Sequence, residues 1–257
     1  PKSSFSIVKK ILNLIPRPWL ISISIWFRPI IKWYFKGSRF TDPIDGSSYR
    51  KFLSYGYQAS RPNALSPGTL SLERHRLLWL YLKRKTTFLE DSLKVLHIAP
   101  EQVFYSKFKS FIHWSYTTTD LNSPLADIKA DVCDLPFEEN TYDLILCNHV
   151  LEHIPNDKKA MQELFRVLKI GGTLIAQVPI EENRFITFED NNIKDKAKRT
   201  EIFGQYDHVR IYGSDYYNRL ESVGFKTQAI DFLKEFSPQE IESFALPKNE
   251  RIPLAKK

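Results

Sequence analysis

Two short segments of the sequence share the pattern X-Pro-x-X, in which X is a polar residue and x is any residue. They are Asp42-Pro43-Ile44-Asp45 and Ser66-Pro67-Gly68-Thr69, separated by 20 residues. With cysteine at the four polar positions, this spacing would be typical of a zinc ribbon. Two carboxylates and two neutral hydroxyls do not complete a tetrahedral zinc site, so we predict no metal here. The alternative is two independent turns opened by Asp-Pro and Ser-Pro, which leaves the matched spacing unexplained.

The body of the chain follows these turns. Residues 38–70 are expected to form a small, loop-rich, ribbon-like segment, and residues 71–257 the main domain, which begins with a helix over 70–86. Farther on, apolar runs predict strands at 95–99, 114–119, 128–132, 144–147 and 173–178, and amphipathic periodicity predicts helices at 101–111 and 158–168. This alternation indicates a parallel sheet covered by helices, with a ligand crevice at the carboxyl ends of the strands.

Polar motifs stand at the ends of these predicted strands in a fixed order. They are the turn His97-Ile98-Ala99-Pro100-Glu101, then Asp120, the run from Asp131 to Phe137, the run from Asp143 to Ile154, and the run from Leu168 to Gly172. Together they resemble a class I S-adenosylmethionine-dependent methyltransferase of type 11, over about residues 93–225. The similarity is nearest to a bacterial subgroup with a His-x-Ala-Pro-Glu turn and, upstream, two Cys-Pro-x-Cys knuckles before Ser-Leu-Glu-Arg-His-Arg. Ser71 to Arg76 keeps that last run, so the resemblance implies a ribbon that has lost its cysteines.

The resemblance implies an α/β Rossmann-like sheet with helices on both faces and a site for S-adenosylmethionine, whose product is S-adenosylhomocysteine. Asp120, at the end of the second strand, suits hydrogen bonds to the ribose hydroxyls. Asp131 and the backbone N–H of Val132 would hold the adenine, while Asn148 and His149 would border the methionine moiety and the methyl group. An aspartate that ends a strand is alternatively a turn or cap residue. The predicted cofactor-binding residues are His97, Ala99, Pro100, Glu101, Asp120, Asp131, Val132, Asn148 and His149.

The loop after the first strand departs from the family pattern, because no glycine occurs between Gly68 and Gly171. Glycine there lets the backbone approach the cofactor closely. Pro100 and Glu101 can still begin a helix, and Glu101 could accept a hydrogen bond from the cofactor's ammonium group. The link from Asp120 to residue 128 is too short for a helix, so one side of the adenine pocket is expected to be open or covered by other segments.

Methyl transfer from a sulfonium requires alignment of the acceptor and, for an oxygen or nitrogen acceptor, removal of a proton; it does not require a metal. The predicted catalytic residues are His208 as proton acceptor, His149, and Arg210 as an orienting or anion-binding group. The predicted substrate-binding residues are His153, Tyr206 and Tyr212. His208 and Arg210 could alternatively pair on the surface with Asp207 or Asp215. Residues 181–203 are charged and helix-poor, and are expected to be an insertion that forms a lid or a solvated loop.

The formal net charge of +7 lies in the first 37 residues, which contain seven basic residues and no acid. At helical spacing, Trp19, Trp26 and Trp33 lie opposite a basic face, a pattern typical of helices at an anionic membrane interface. The alternative is that these amphipathic helices pack on the body or on a dimer partner. No apolar run in this arm reaches the length of a membrane span.

The neutral remainder of the chain argues against a nucleic-acid partner. With only Cys133 and Cys147, a reducing cytoplasmic compartment is expected, with a peripheral position at the inner face of a membrane. The predicted function is methyl transfer to an oxygen or nitrogen of a small-molecule or lipid-like acceptor near a membrane. The alternative is a membrane-associated binding or scaffold protein of the same fold that has lost catalysis.

Overall fold

The computed structural model describes residues 29–56 and 60–257. The strands are β1 Lys36–Thr41, β2 Ser48–Tyr49, β3 Leu53–Tyr55, β4 Arg61–Leu65, β5 Lys94–Ile98, β6 Ser115–Asp120, β7 Ile128–Lys129, β8 Tyr142–Cys147, β9 Leu168–Ile175, β10 Phe188–Glu189, β11 Arg210–Ile211, β12 Lys226–Ile230 and β13 Ile252–Lys256. The α-helices are α1 Glu73–Lys85, α2 Gln102–Lys109, α3 Asp157–Val167, α4 Lys196–Phe203, α5 Tyr216–Glu221 and α6 Pro238–Ser243, and residues 29–35 are also helical. Short 3-10 helices occupy Leu151–His153 and Phe232–Glu235.

A seven-stranded sheet with the order β12-β13-β9-β8-β5-β6-β7 forms the centre of the molecule. The strands from β5 to β9 pair in parallel, whereas β13 pairs antiparallel with both β9 and β12. The predicted α/β Rossmann-like sheet is confirmed. The antiparallel pair at its edge was absent from the predicted strands.

Helices cover both faces of this sheet, as the alternating side chains of β8 show. Ile145 and Cys147 pack into one hydrophobic cluster with Met161 and Leu164 of α3. Leu144 and Leu146, on the other side of the strand, pack into a second cluster that contains residues of α1 and α2. Because both faces of β8 are buried, its side chains form a continuous apolar run in the sequence. This run is the pattern from which the strand was predicted.

The Gly171-Gly172 pair has a different role from the predicted one. It was expected to separate helix from strand, with the strand beginning at residue 173. Instead α3 ends at Val167 and β9 begins at Leu168, so the pair lies inside the strand. The register with β8 shifts there, and Gly171 has a φ of +80°, a left-handed conformation that glycine adopts without strain.

The two X-Pro-x-X segments form turns with the same hydrogen-bond pattern. In the first, the N–H of Asp42 bonds to the Ser47 carbonyl and the N–H of Gly46 to the Asp42 carbonyl. In the second, Ser66, Ser71 and Leu70 make the equivalent two bonds. The Asp42 carboxylate accepts hydrogen bonds from the hydroxyls of Thr69 and Ser71, so the turns face each other across a buried contact. Both segments are therefore turns, as the alternative reading expects, and the two turns also contact each other.

Arg76 ties this ribbon-like segment to the far end of the chain. It is fully buried. Its guanidinium donates to the carbonyls of Ala64 and Ser71 on one side, at 3.1 and 2.7 Å, and of Phe244 and Ala245 on the other, at 2.7 and 2.6 Å. Burial lowers the pKa of Arg76 to about 10, against the opposing charge of Asp42, so the side chain is a cation at neutral pH.

Most of the tryptophan-bearing arm lies outside the described residues. Of its predicted apolar face, the structure describes Trp33, which is 77% exposed beside the exposed Ile30 and Tyr34. Lys32, on the other side of this helical stretch, lies 2.8 Å from Asp45. None of the helices in the described part of the chain is long and apolar enough to cross a membrane.

Candidate functional site

The carboxyl ends of the parallel strands bring the predicted cofactor residues together. The N–H of Ala99, just after β5, bonds to the carbonyl of Thr119 in β6 at 2.8 Å. The N–H of His149, just after β8, bonds to the carbonyl of Gln177, just after β9, at 2.7 Å. The predicted crevice is therefore built from the ends of four adjacent strands.

The turn after β5 keeps a left-handed backbone without glycine. Ala99 has a φ of +48°, a region in which side chains other than glycine cost about 1 kcal/mol or more. His149 is also left-handed, with a φ of +53°. Such conformations persist where the surrounding structure enforces them, and they cluster at functional sites. Ala99 thus holds a left-handed conformation that glycine would adopt without strain.

Glu101 follows this turn and is held by His97. The fully buried His97 has Nδ1 2.7 Å from the Tyr116 hydroxyl and Nε2 2.5 Å from Oε2 of Glu101, so both ring nitrogens are engaged. His97 was predicted to touch the cofactor; instead it positions Glu101. Burial opposes ionisation of Glu101, but the neighbouring His97 outweighs it and holds the pKa at about 2. Oε1 of this carboxylate is buried and has no hydrogen-bond partner among residues 29–56 and 60–257.

Asp120 and Asp131 each hold a turn through one carboxylate oxygen. Oδ1 of Asp120 accepts from the N–H groups of Asn122 and Ser123, both at 2.6 Å, and Oδ1 of Asp131 accepts from Cys133 at 2.8 Å. The side chain of Val132 is buried beside them. β7 follows β6 without an intervening helix, as the short link predicted, and both residues of β7 are exposed.

Several buried polar atoms at these strand ends have no hydrogen-bond partner in residues 29–56 and 60–257. Asn148 is 3% exposed; its Oδ1 accepts from the N–H of Gln177 at 3.2 Å, and its Nδ2 is unpaired in the described structure. The unpaired atoms along this edge are Glu101 Oε1, Thr119 Oγ1, Asn148 Nδ2, His149 Nε2 and Gln177 Oε1. Unpaired buried polar groups are costly and rare. This mixture of acceptors and donors fits the ammonium and carboxylate of an amino-acid ligand, such as the methionine moiety of S-adenosylmethionine.

A separate cavity of about 240 Å³ lies on the predicted acceptor side. It is lined by Glu152, Pro179, Phe203, Gly204, Gln205, His208, Arg210 and Ile211. His208 is 6% exposed, and its Nδ1 lies 3.2 Å from the Phe203 carbonyl. Burial lowers the pKa of His208, so its imidazole is neutral at physiological pH.

Arg210 and Tyr212 differ from their predicted roles. Arg210 is 1% exposed and donates to the carbonyls of Leu151, Ile154 and Pro155 and to the Glu189 carboxylate. Its guanidinium therefore holds the loop after β8, and its ion pairs are with Asp157 and Glu189 in place of the predicted Asp207 or Asp215. Tyr212 is fully buried, and its hydroxyl donates to Asp157 at 2.8 Å, so it cannot contact a substrate as predicted. Tyr206, 48% exposed, remains accessible.

The segment at 181–203 is more ordered in structure than its sequence indicated. It was expected to be helix-poor, yet it contains β10, which pairs with β11, and the helix α4. Phe203, the last residue of α4, lines the cavity beside His208. The end of the segment therefore contributes one side chain to the lining of this cavity.

Three side chains with metal-binding capacity meet at this cavity. Glu152, His153 and His208 each place a ligand-type atom within 4.8 Å of the others. The two histidines were predicted site residues, whereas Glu152 was missed. The spacing of His149, Glu152 and His153 at i, i+3 and i+4 is the sequence signal that could have revealed it.

Comparison with known proteins supports the assignment of this domain. Residues 85–176 match the family described as a methyltransferase domain. An uncharacterized protein of Methanocaldococcus jannaschii is 51% identical over 51 residues, covering 20% of this chain and 22% of that protein. A sterol 4-C-methyltransferase of Caenorhabditis elegans is 40% identical over 58 residues, covering 23% and 17%. This chain thus spans about a fifth of the length of these curated relatives.

Solved structures with a similar fold are more distant in sequence. An S-adenosylmethionine-dependent methyltransferase from Mesorhizobium loti has a TM-score of 0.49 at 12% identity, covering 70% of this chain and 98% of that one. The sequence match and the sheet agree. Residues 85–176 form a methyltransferase domain within a Rossmann-like, mostly parallel sheet.

Proposed function

We propose that this protein transfers a methyl group from S-adenosylmethionine to an oxygen or nitrogen atom of a small-molecule or lipid-like acceptor. The observation that carries the proposal is the row of buried, unpaired polar atoms at the carboxyl ends of β5, β6, β8 and β9. In a methyltransferase domain, these atoms stand where the cofactor is expected, and their chemistry suits a zwitterion.

Each residue of this row has a distinct role in the proposed cofactor site. Oε1 of the ionised Glu101 accepts from the ammonium group, and Nδ2 of Asn148 donates to the carboxylate. Asp120 uses the oxygen that does not hold its turn to bind the ribose hydroxyls, and Asp131 and Val132 border the adenine. When bound, the cofactor supplies an electrophilic methyl group on a sulfonium. The backbone of Ala99 and Pro100 forms the floor of this site.

On the acceptor side, His149 is our candidate for the proton acceptor. Its Nδ1 lies 3.2 Å from Oε1 of the buried Glu152, an arrangement that orients the imidazole and leaves the unpaired Nε2 free to take a proton. His153 and His208 stand beside it as acceptor-side groups, and Tyr206 lies at the exposed rim. Arg210 positions the loop that carries Glu152 and His153.

Exposed apolar side chains in two places support binding of an apolar acceptor or of a membrane surface. Phe185 and Ile186, in the segment whose last residue lines the cavity, are 82% and 75% exposed. Ile30, Trp33 and Tyr34 are exposed on the described end of the basic arm. Exposed aromatic and apolar side chains next to basic residues favour a lipid interface.

Calorimetry of the full chain with S-adenosylmethionine and S-adenosylhomocysteine tests this function. We expect binding in the micromolar range. Asn148→Asp keeps the oxygen that bonds to Gln177 but places a carboxylate against that of the ligand, and should weaken binding more than 10-fold. Asn192→Asp, in an exposed loop, is the matched control and should bind like the parent. Absence of binding at millimolar ligand would contradict the proposal and favour a binding or scaffold role.

A further inference from the structure

The cluster of Glu152, His153 and His208 has the composition of a transition-metal site. Its two imidazoles and one carboxylate come from the 3-10 turn after β8 and from the segment before β11. Ligand atoms about 2.1 Å from one ion lie up to about 4.2 Å apart, so atoms within 4.8 Å of one another need only small side-chain rotations to share an ion. From this geometry we propose that these three residues bind a divalent first-row transition cation.

The hydrogen bonds of the two histidines favour this role. Nδ1 of His208 lies 3.2 Å from the Phe203 carbonyl, and Nδ1 of His153 lies 3.3 Å from the Asp207 carbonyl. A carbonyl oxygen accepts only from a protonated nitrogen, so both rings carry the proton on Nδ1 and a lone pair on Nε2. This is how histidine ligands are oriented in known metal sites, where the second nitrogen donates to a carbonyl or carboxylate.

Glu152 supplies an independent indication of a ligand. Its side chain is 2% exposed, and Oε1 is engaged by His149. Oε2 is buried and has no hydrogen-bond partner in the part of the chain that the structure describes. An unpaired, buried carboxylate oxygen in a cluster with two imidazoles is unfavourable unless a cation or a donor lies between them. A metal ion satisfies all three atoms at once.

The two segments that carry these ligands are fixed to each other before any ion binds. The N–H of Val209 bonds to the Glu152 carbonyl at 2.9 Å. Arg210 brackets His153 by bonding to the carbonyls of Leu151 and Ile154 at 2.7 and 2.5 Å. The role of the buried Arg210 is therefore to pre-organise the ligands.

The ligand set also limits the ion and what it can do. Imidazole and carboxylate together suit Zn²⁺, Mn²⁺, Fe²⁺ or Co²⁺, whereas Mg²⁺ and Ca²⁺ prefer oxygen ligands alone. Three protein ligands leave coordination positions open, and Glu152 and His208 line the 240 Å³ cavity. An acceptor bearing a hydroxyl can coordinate there. This last step rests on the proposed methyl transfer, whereas the metal site itself does not.

Metal titration of the full-length chain, without a polyhistidine tag and stripped with EDTA, tests the site. Zn²⁺ is followed by calorimetry and Co²⁺ by its visible absorption, with neither cofactor nor acceptor present. We expect one equivalent of each ion to bind. His153→Gln and His208→Gln should weaken binding at least about 100-fold, more than the loss of an outer hydrogen-bond partner costs. His113→Gln, whose ring bonds to the Leu89 carbonyl away from the cluster, should bind like the parent.

Two results would overturn the metal site: no Zn²⁺ binding below millimolar concentration, or equal affinity in the parent and in a folded His153→Gln variant. Because the His153 side chain is 31% exposed, this variant should fold, and circular dichroism verifies that. Calorimetry with S-adenosylmethionine in EDTA separates the two proposals. Cofactor binding without metal binding refutes only the metal site, and metal binding without cofactor binding refutes only the methyl transfer.

Discussion

Two clusters of ligand-type side chains in this protein differ in how their polar atoms are satisfied. In the ribbon-like segment, the Asp42 carboxylate accepts from the hydroxyls of Thr69 and Ser71 and from the N–H of Ile44. At the carboxyl edge of the sheet, Glu101, Asn148 and Glu152 each keep a buried atom without a partner among the described residues. The carboxylate of the first cluster is satisfied by internal hydrogen bonds, although Ser66 Oγ is buried without a partner among the described residues. The carboxylates and the amide of the second cluster each keep an unpaired atom, so the hydrogen bonding of these groups, more than residue type, distinguishes the two clusters.

The largest loss of stability is expected from a substitution in the ribbon-like segment. Asp42→Ala removes the acceptor of three hydrogen bonds and one of the two negative charges that offset the buried Arg76, and should lower the free energy of unfolding by about 3–5 kcal/mol. Asp45→Ala, in the same turn, removes a more exposed ion pair with Lys32 and should cost at most about 1 kcal/mol. Urea denaturation measures both. Equal losses of unfolding free energy in the two variants would show that the buried hydrogen bonds of Asp42 contribute no more than an exposed ion pair.

Glu101 combines the features of the two clusters, because one of its carboxylate oxygens is hydrogen-bonded and the other is not. Its pKa of about 2 lies below the ordinary 4.5, so it stabilises the fold above pH 4.5 and this contribution is lost as the pH falls toward 2. Glu101→Gln should lower the free energy of unfolding at pH 7 by about 3 kcal/mol. The difference from the parent should shrink to roughly half near pH 3 and disappear only below about pH 2.

Denaturation curves at several pH values measure the effect of Glu101→Gln. Glu138→Gln, at an exposed position, serves as the control and should track the parent throughout. A loss in Glu101→Gln that does not depend on pH would show that the carboxylate charge has no stabilising role.

Asp120 offers a change that should affect ligand binding alone. Asp120→Asn keeps an oxygen for the N–H groups of Asn122 and Ser123 but removes the charge that strengthens bonds to ribose hydroxyls. Calorimetry should show the Kd for S-adenosylmethionine rising by about 10- to 100-fold, with a melting temperature close to that of the parent. Asp134→Asn is the matched exposed control. An unchanged affinity for S-adenosylmethionine would show that Asp120 only stabilises its turn and does not bind the cofactor.

The smallest effect is expected at the left-handed turn after β5. Ala99→Gly relieves the positive φ and should stabilise the protein by up to about 1 kcal/mol, without weakening cofactor binding. Ala160→Gly, inside α3, should destabilise it by about the same amount. Thermal melting compares the two. A destabilised Ala99→Gly variant would mean that this turn is not strained.

The sheet and its flanking helices could be predicted from the sequence because their period and burial are local properties. The two turns of the ribbon-like segment could also be predicted, from the matched spacing of their Asp-Pro and Ser-Pro sequences. The roles of Arg210 and Tyr212 were not, because their partners, Leu151 and Asp157, lie more than 50 residues away and meet them only in the folded chain. Glu152 was missed for the same reason, since the histidine that completes its cluster is His208. The helix α4 was hidden by a charged sequence with a weak apolar face.

The bonds of Arg76 have a consequence for how the chain reaches its fold. Its acceptors at Phe244 and Ala245 are 168 and 169 residues away in sequence, and they lie beyond the matched domain that ends at residue 176. During synthesis on the ribosome, the segment around Arg76 cannot enclose this cation until residues 244 and 245 have been made. We therefore expect late, rate-limiting closure of these long-range contacts, and a single cooperative unfolding transition that trimming the last 14 residues abolishes.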